Sequence, residues 1–393
     1  MKFAICIIAY NRVNALKRLV NSLLASVYPT SIDLIISIDK SKSTIVEEYA
    51  RTVVWQYGDY KLVAHEKNLG LRKHILGCGA YLKEYDALVV LEDDIVVTPV
   101  FMYYVTQCVA KYKDDERIAG ISLYGFNISY QTLYPFVPMK GEHDVYFMNC
   151  AQSWGQVWMK KQWLDFYKWY QNNNDSFSDL QHIPSVINNW PETSWLKYHT
   201  RYCIEEDKLF VYPYYSLSTN FSDVGAHVTE KNTFFQSNMT YCSLCRFKLR
   251  SLDEDIIEYD GFFEPKFLSV SLGVPIDELC VDLNGTKSPA SYKRFLLTKA
   301  VLDYEIRKTF GLDFKPVELN ILLQNPGNEI FLYDTSVIKV NNNNRPAKID
   351  NYRFMYGSAL DMSFRLLGVG PLFCYLIKSI VTKSINRLKR KKK

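Results

Sequence analysis

ALVVLEDDIVV, residues 87–97, places Glu92, Asp93 and Asp94 inside a run of Val, Leu and Ile. A continuously apolar run of this length reads as a strand buried on both faces. Three like charges at its end repel one another, and burying any of them without a partner is costly. The stretch therefore calls for something positive nearby, or for a ligand that takes hard oxygen donors.

Working outward, the first 125 residues alternate between two periods. FAICIIA (3–9), LIISID (34–39), KLVAHE (61–66), ALVVLE (87–92) and RIAGISL (117–123) read as strands. Val13, Leu16, Leu19, Val20, Leu23, Leu24 and Val27 keep helical spacing behind Asn11, a candidate N-cap. Residues 70–85 read as a further helix. Strands alternating with helices predict an α/β fold, a mostly parallel, Rossmann-like sheet with helices on both faces. Ligands in such sheets bind beyond the carboxyl ends of the strands. AYNR, DKS (39–41) and EDD all fall there, which is the first functional signal in the chain.

The 393 residues exceed one ordinary small domain, so one large domain with an extension is expected. Three regions are expected: a main domain over 1–235, a mixed C-terminal extension over 236–340, and a linker with a basic helix over 341–393. VNNNNRPAK (340–348) marks the last break. Aromatics reach 15% and crowd 150–230, where rings serve both core and sugar-stacking pockets.

The net charge is +5, but the last sixteen residues hold eight Lys or Arg and no acid. The remainder, with 39 basic and 42 acidic residues, is slightly acidic, so no nucleic-acid partner is expected. After Pro371, Leu372, Phe373, Leu376, Ile377, Ile380, Val381, Ile385 and Leu388 keep one helical face. The apolar run Leu366–Ile377 is too short to span a bilayer. An amphipathic helix with a polybasic end suits an anionic membrane surface. The N-terminus reads as too short for a signal peptide, and the nine Cys lack framework spacing. Cys242 and Cys245 form one C-x-x-C, without the second pair that a four-Cys zinc site needs. The expected location is cytoplasmic, peripheral on the inner face of the cell membrane.

Three carboxylates at a strand end offer oxygen ligands to Mg2+ or Mn2+, with room for a nucleotide diphosphate. In order along 1–230, IIAYNR, SIDKS, HEKNLGLRKHILGC, LVVLEDDIVVTPVFMYY, SWGQVW and VYPYYSLSTNFSDVGAHVT resemble motifs of GT-A-fold glycosyltransferases. The resemblance is to bacterial polysaccharide sugar transferases (family 2-like) and to the N-acetylglucosaminyltransferase I group. It implies a metal-dependent transfer from a nucleotide-diphosphate sugar, a UDP-sugar first, with inversion. The implied acceptor is a saccharide or lipid-linked saccharide of bacterial lipopolysaccharide or capsule assembly.

By the same resemblance Asp94 is the direct metal ligand, and Glu92 and Asp93 hold ribose or metal-bound water. Ala9, Tyr10 and Arg12 frame the nucleotide, and Asp39 binds ribose or base. Asn68, Gly70 and Arg72 form the donor segment, where Arg72 offsets diphosphate charge. His227 is a second metal or diphosphate contact, and Trp154 and Gly155 shape the sugar pocket. An inverting transfer also needs a carboxylate base beside the acceptor hydroxyl. The group carries it in a Trp-Asp-Asp-Trp element, but WPETSWLKYH has Leu196 and Lys197 where the paired acids would stand. Glu192 is the first candidate, followed by Glu206 and Asp207.

Two rival readings remain. A sugar-phosphate nucleotidyltransferase shares the sheet and the metal, but AYNRVNAL lacks a Gly-rich phosphate loop. A non-catalytic membrane-associated saccharide-binding protein would explain the missing acids, but it has no need of EDD.

Overall fold

The structure is a computed structural model that describes residues 1–221, 223, 233–241, 246–343, 347–357 and 359–390. His227, Cys242 and Cys245 lie outside the described residues.

The apolar runs become strands: β1 (Phe3–Ala9), β2 (Asp33–Ile38), β3 (Tyr60–Ala64) and β4 (Ala87–Glu92). Then come β5 (Ile95–Val97), β6 (Ile118–Ser122), β7 (Val145–Met148), β8 (Gln156–Met159), β9 (Leu209–Pro213), β10 (Ser218–Asn220) and β11 (Glu258–Tyr259). Nine of them form one sheet in the order β11-β7-β9-β6-β8-β4-β1-β2-β3. From their pairings, β1–β4, β6 and β9 run one way and β7, β8 and β11 the other.

Alternation along β1 shows why both faces are covered. Phe3, Ile5 and Ile7 pack with Leu16, Leu19, Val20 and Leu23 of α1 (Val13–Leu24). Ala4, Cys6 and Ile8 join the opposite cluster, with Ile75 and Leu76. Those two come from a helix that follows β3. Two further elements precede and include it: α2 (Ile45–Arg51) and α3 (Leu71–Cys78). The expected 70–85 helix thus stops at Cys78 and continues as a 3-10 turn over Gly79–Lys83.

The aromatic region is more regular than its sequence suggests. After α4 (Phe101–Tyr112), it supplies α5 (Lys160–Asn172), α6 (Ser185–Asn188) and α7 (Trp195–Glu205). Trp158 stacks on Trp163 at 3.8 Å, and His199 of α7 stacks on Phe166 at 4.1 Å. Burial pushes His199 down to about 3, and neither ring nitrogen has a partner among the described residues.

That histidine yields a pH prediction. The unfolded chain protonates near 6.5, so below that value the unfolded state binds the extra proton and stability falls until about pH 3. His199→Phe keeps the stack and removes two unpaired polar atoms. It is expected to gain about 1 kcal/mol at pH 7.5, and about 2 kcal/mol more at pH 5. Urea denaturation at the two pH values checks this; equal gains would refute the protonation argument.

The extension carries a sheet that no periodicity announced: β12 (Leu279–Asp282), β13 (Phe295–Thr298), β14 (Tyr304–Phe310) and β15 (Ile330–Ile338), in the order β12-β13-β15-β14. Leu279, Val281, Leu297, Phe310, Ile330 and Leu332 make its core. The chain divides into two compact units, one of residues 1–299 and 303–339, the other of 300–302 and 340–393. The second unit holds helices Ala347–Tyr356, Ala359–Leu367 and Val369–Arg390. Among the described residues no helix is long and apolar enough to cross a membrane. Phe373, Leu376, Ile377, Ile380 and Val381 are exposed.

Candidate active site

The three acids stand at the carboxyl end of β4, beside the end of β1. Arg12, expected only to frame a nucleotide, answers their repulsion. It sits at the N-cap of α1 in place of Asn11 and makes no side-chain cap bond. Its Nη1 donates to Asp94 Oδ2 at 2.9 Å, and its Nη2 pairs with Asp93. Burial opposes the charge on Arg12, and Asp93 and Asp94 overcome it, raising its pKa above the ordinary value.

One guanidinium does not balance three carboxylates. Burial first, then Asp94 and Asp93, push Glu92 up to about 8, with Arg12 and the Trp195 side chain pulling the other way. Asp93 rises to about 6 through burial, against Arg12 and the Tyr10 backbone. A donor set of carboxylate oxygens alone, short of positive charge, fits Mg2+ or Mn2+. Among the described residues no three His, Cys, Asp or Glu side chains form a complete cation site. Asp94 and Asp93 would hold the cation, with substrate phosphates and water in the remaining positions.

Asp39 is a clasp. It is 4% exposed, and its Oδ1 accepts from Lys40 and Leu69 N–H at 2.9 and 2.8 Å. Its Oδ2 accepts from Gly70 N–H at 3.0 Å. Asn68 closes the same turn by donating to the Lys40 carbonyl at 2.9 Å. Gly70 has φ +74°, a left-handed conformation that any side chain would strain. These residues shape the floor between β2 and α3, and one acceptor position on Asp39 Oδ2 is left for a ligand.

Arg72 is spent elsewhere. It donates to the Tyr170 and Tyr198 hydroxyls and to the Glu192 and Asn174 carbonyls, at 2.7–3.1 Å. Instead of facing a diphosphate, it ties the 173–192 segment to α3. Glu192 belongs to the same knot, paired with Lys197 at 2.6 Å and with the Tyr198 hydroxyl. Burial pulls its pKa upward, and the bonds from Lys197 and Tyr198 win, leaving it below the usual carboxylate value. A carboxylate held in that state is a weak base.

Glu206 and Asp207 are not brought to the site. They follow α7 and precede β9, which runs in the direction of β4. They therefore lie at the amino edge of the sheet, opposite the acids. Asp207 pairs with Lys266 at 2.9 Å and borders a separate cavity of ≈ 310 Å³, lined also by Asp260, Phe262 and Lys287.

Trp154 and Gly155 do reach the acidic edge, because β8 is antiparallel to β4 and begins at Gln156, opposite Val90. Trp154 meets Tyr124 edge-on at 4.8 Å. Gly155 has φ +102°, and a Cβ there would come within 2.8 Å of Ser218 Oγ. That closeness seats β10 on β5, where Phe221 N–H donates to the Asp94 carbonyl at 2.8 Å. Arg18 of α1 pairs with Asp223 and stacks on Phe221 at 3.7 Å. Sequence reasoning missed Trp195, Arg18 and the ion-pairing role of Arg12, since each contact spans some eighty residues or more.

Residues 4–144 match the family described as Glycosyl transferase family 2. No curated protein matches the chain. Among solved structures, S. aureus TarS 1–349 in complex with UDP-GlcNAc is 15% identical, with a TM-score of 0.36, over 58% of this chain and 60% of that one. The mannosyltransferase PcManGT from Pyrobaculum calidifontis, in complex with GDP-Man and Mn2+, is 10% identical, with a TM-score of 0.33, over 54% of each chain. The chain thus spans less than two thirds of either. The stretch that matches this family, residues 4–144, holds the three acids at the carboxyl end of β4, Asp39 just after β2 and Arg12 after β1.

Proposed function

We propose that the chain transfers a sugar from a nucleotide-diphosphate sugar, a UDP-sugar first, to a saccharide or lipid-linked acceptor, with inversion. The observation that carries this reading is the under-compensated carboxylate cluster at the strand ends of a family 2 domain. Such a cluster favours a divalent cation and, through it, a diphosphate. When bound, the cation supplies Lewis-acid stabilisation of the departing diphosphate. The chain's own residues do the rest. Asp39 and Asn68 fix the floor, Asp94 would supply a carboxylate oxygen to the cation, and Trp154 would offer a ring to a sugar face. His227 follows the β10 segment in sequence and is proposed as a further phosphate contact. The test incubates the protein with UDP-, GDP- and CMP-sugars and follows free nucleotide with and without Mn2+. Release from one donor, dependent on the cation, supports the reading; no release from any donor contradicts it.

We place the acceptor at an anionic membrane surface, on the cytoplasmic side, as a lipid-linked saccharide in surface-polysaccharide assembly. The support is the row of exposed apolar residues on the Val369–Arg390 helix and the eight basic residues ending the chain. Replacing Phe373, Ile377 and Ile380 together with Ser is expected to release the protein from phosphatidylglycerol vesicles in a flotation assay, by about tenfold or more. Undiminished flotation would remove the helix face from the account.

A further inference from the structure

Arg12 bridges two different carboxylates instead of gripping one. Its two terminal nitrogens reach Asp94 Oδ2 and Asp93 Oδ1, so its positive charge lies between the side chains that would draw a divalent cation. A guanidinium held against these carboxylate oxygens repels a divalent cation that approaches them and weakens the oxygens as ligands. We propose that Arg12 is a resident counter-ion that competes with the divalent cation for Asp93 and Asp94, and that its release ties cation entry to diphosphate binding. This rests on the donor-site reading above.

Charge at close quarters sets this competition. Arg12 keeps 27% of its side chain exposed, Asp93 4% and Asp94 21%, so all three are largely withdrawn from water. A guanidinium released there is left short of a partner, and a nearby anion is the remedy. A nucleoside diphosphate is such an anion, and the fork of Arg suits its oxygens. Alone, the cation must displace Arg12; alone, the diphosphate meets the acids. Together each removes the obstacle to the other, and the coupling is reciprocal by linkage. Arg12 acts here through other groups, as a positioning residue.

The test measures Mn2+ binding by electron paramagnetic resonance in wild type, Arg12→Gln and Arg12→Lys, first without nucleotide. UDP binding at saturating Mn2+ follows by calorimetry, and circular dichroism melts confirm that the variants fold. Arg12→Gln is expected to bind Mn2+ alone about tenfold more tightly and UDP about tenfold more weakly, within the usual range of coupling. Arg12→Lys, which keeps the charge and loses the fork, should fall between them and stands in if the Gln variant does not fold. Mn2+ affinity that is unchanged or weaker in the variants, or undetectable throughout, overturns the inference. If the variants tighten Mn2+ binding but UDP binds none of the proteins, the competition stands, the tie to diphosphate falls, and so does the donor-site reading.

Discussion

Asp94→Asn is expected to cut sugar transfer by about 10²–10³-fold, the loss typical of removing one group that stabilises developing charge. The same change should spare the fold. The Asp94 carbonyl still receives Phe221 N–H, and removing a charge relieves Glu92 and Asp93, which the cluster pushes upward. Melting temperature should therefore hold or rise while activity collapses. A variant that loses both would make Asp94 a structural residue, and the site would have to be sought elsewhere.

Lys197→Met should do the reverse. Lys197, with 1% of its side chain exposed, donates to the carbonyls of Phe177, Asn188 and Trp190 and to Glu192 Oε1, at 2.6–3.1 Å. It is the post around which the 176–192 segment is wound. Methionine fills the volume but leaves those acceptors unpaired. The expected cost is about 3 kcal/mol, at the lower end for a buried ion pair that loses one partner. Glu192 is more accessible, so Glu192→Gln should cost no more than about 1 kcal/mol. Urea denaturation of the two variants checks the asymmetry; equal losses would contradict it. The position where resemblance called for an acid thus holds the cation that organises this loop.

What was legible in the sequence follows from physical range. β1 and β4 were readable to the residue because strands buried on both faces must be apolar throughout. β7, VYFM, and β8, QVWM, are four residues each and set among aromatic loops, too short to show a period. β14, YEIRKTF, leaves charged residues exposed and carries little pattern of its own. At the site, the acids announced themselves because charge at the end of an apolar strand is a local anomaly. Their partner could not, since Arg12 meets them only after the chain has wound through three strands. Glu206 and Asp207 stood behind Glu192 as candidates for the base. The eleven residues of α7 then carry them about 16 Å along its axis, to the other edge of the sheet.

If Glu92, Asp93 and Asp94 form a cation and nucleotide-diphosphate site, nucleotide binding must depend on the cation and on Asp94. The most direct measurement is calorimetric binding of UDP, GDP and CMP, with and without Mn2+, to wild type and Asp94→Asn. The account predicts that one nucleotide binds wild type only with Mn2+ and that the variant loses this binding while remaining folded. No binding of any nucleotide to wild type, or equal binding to Asp94→Asn, would contradict it.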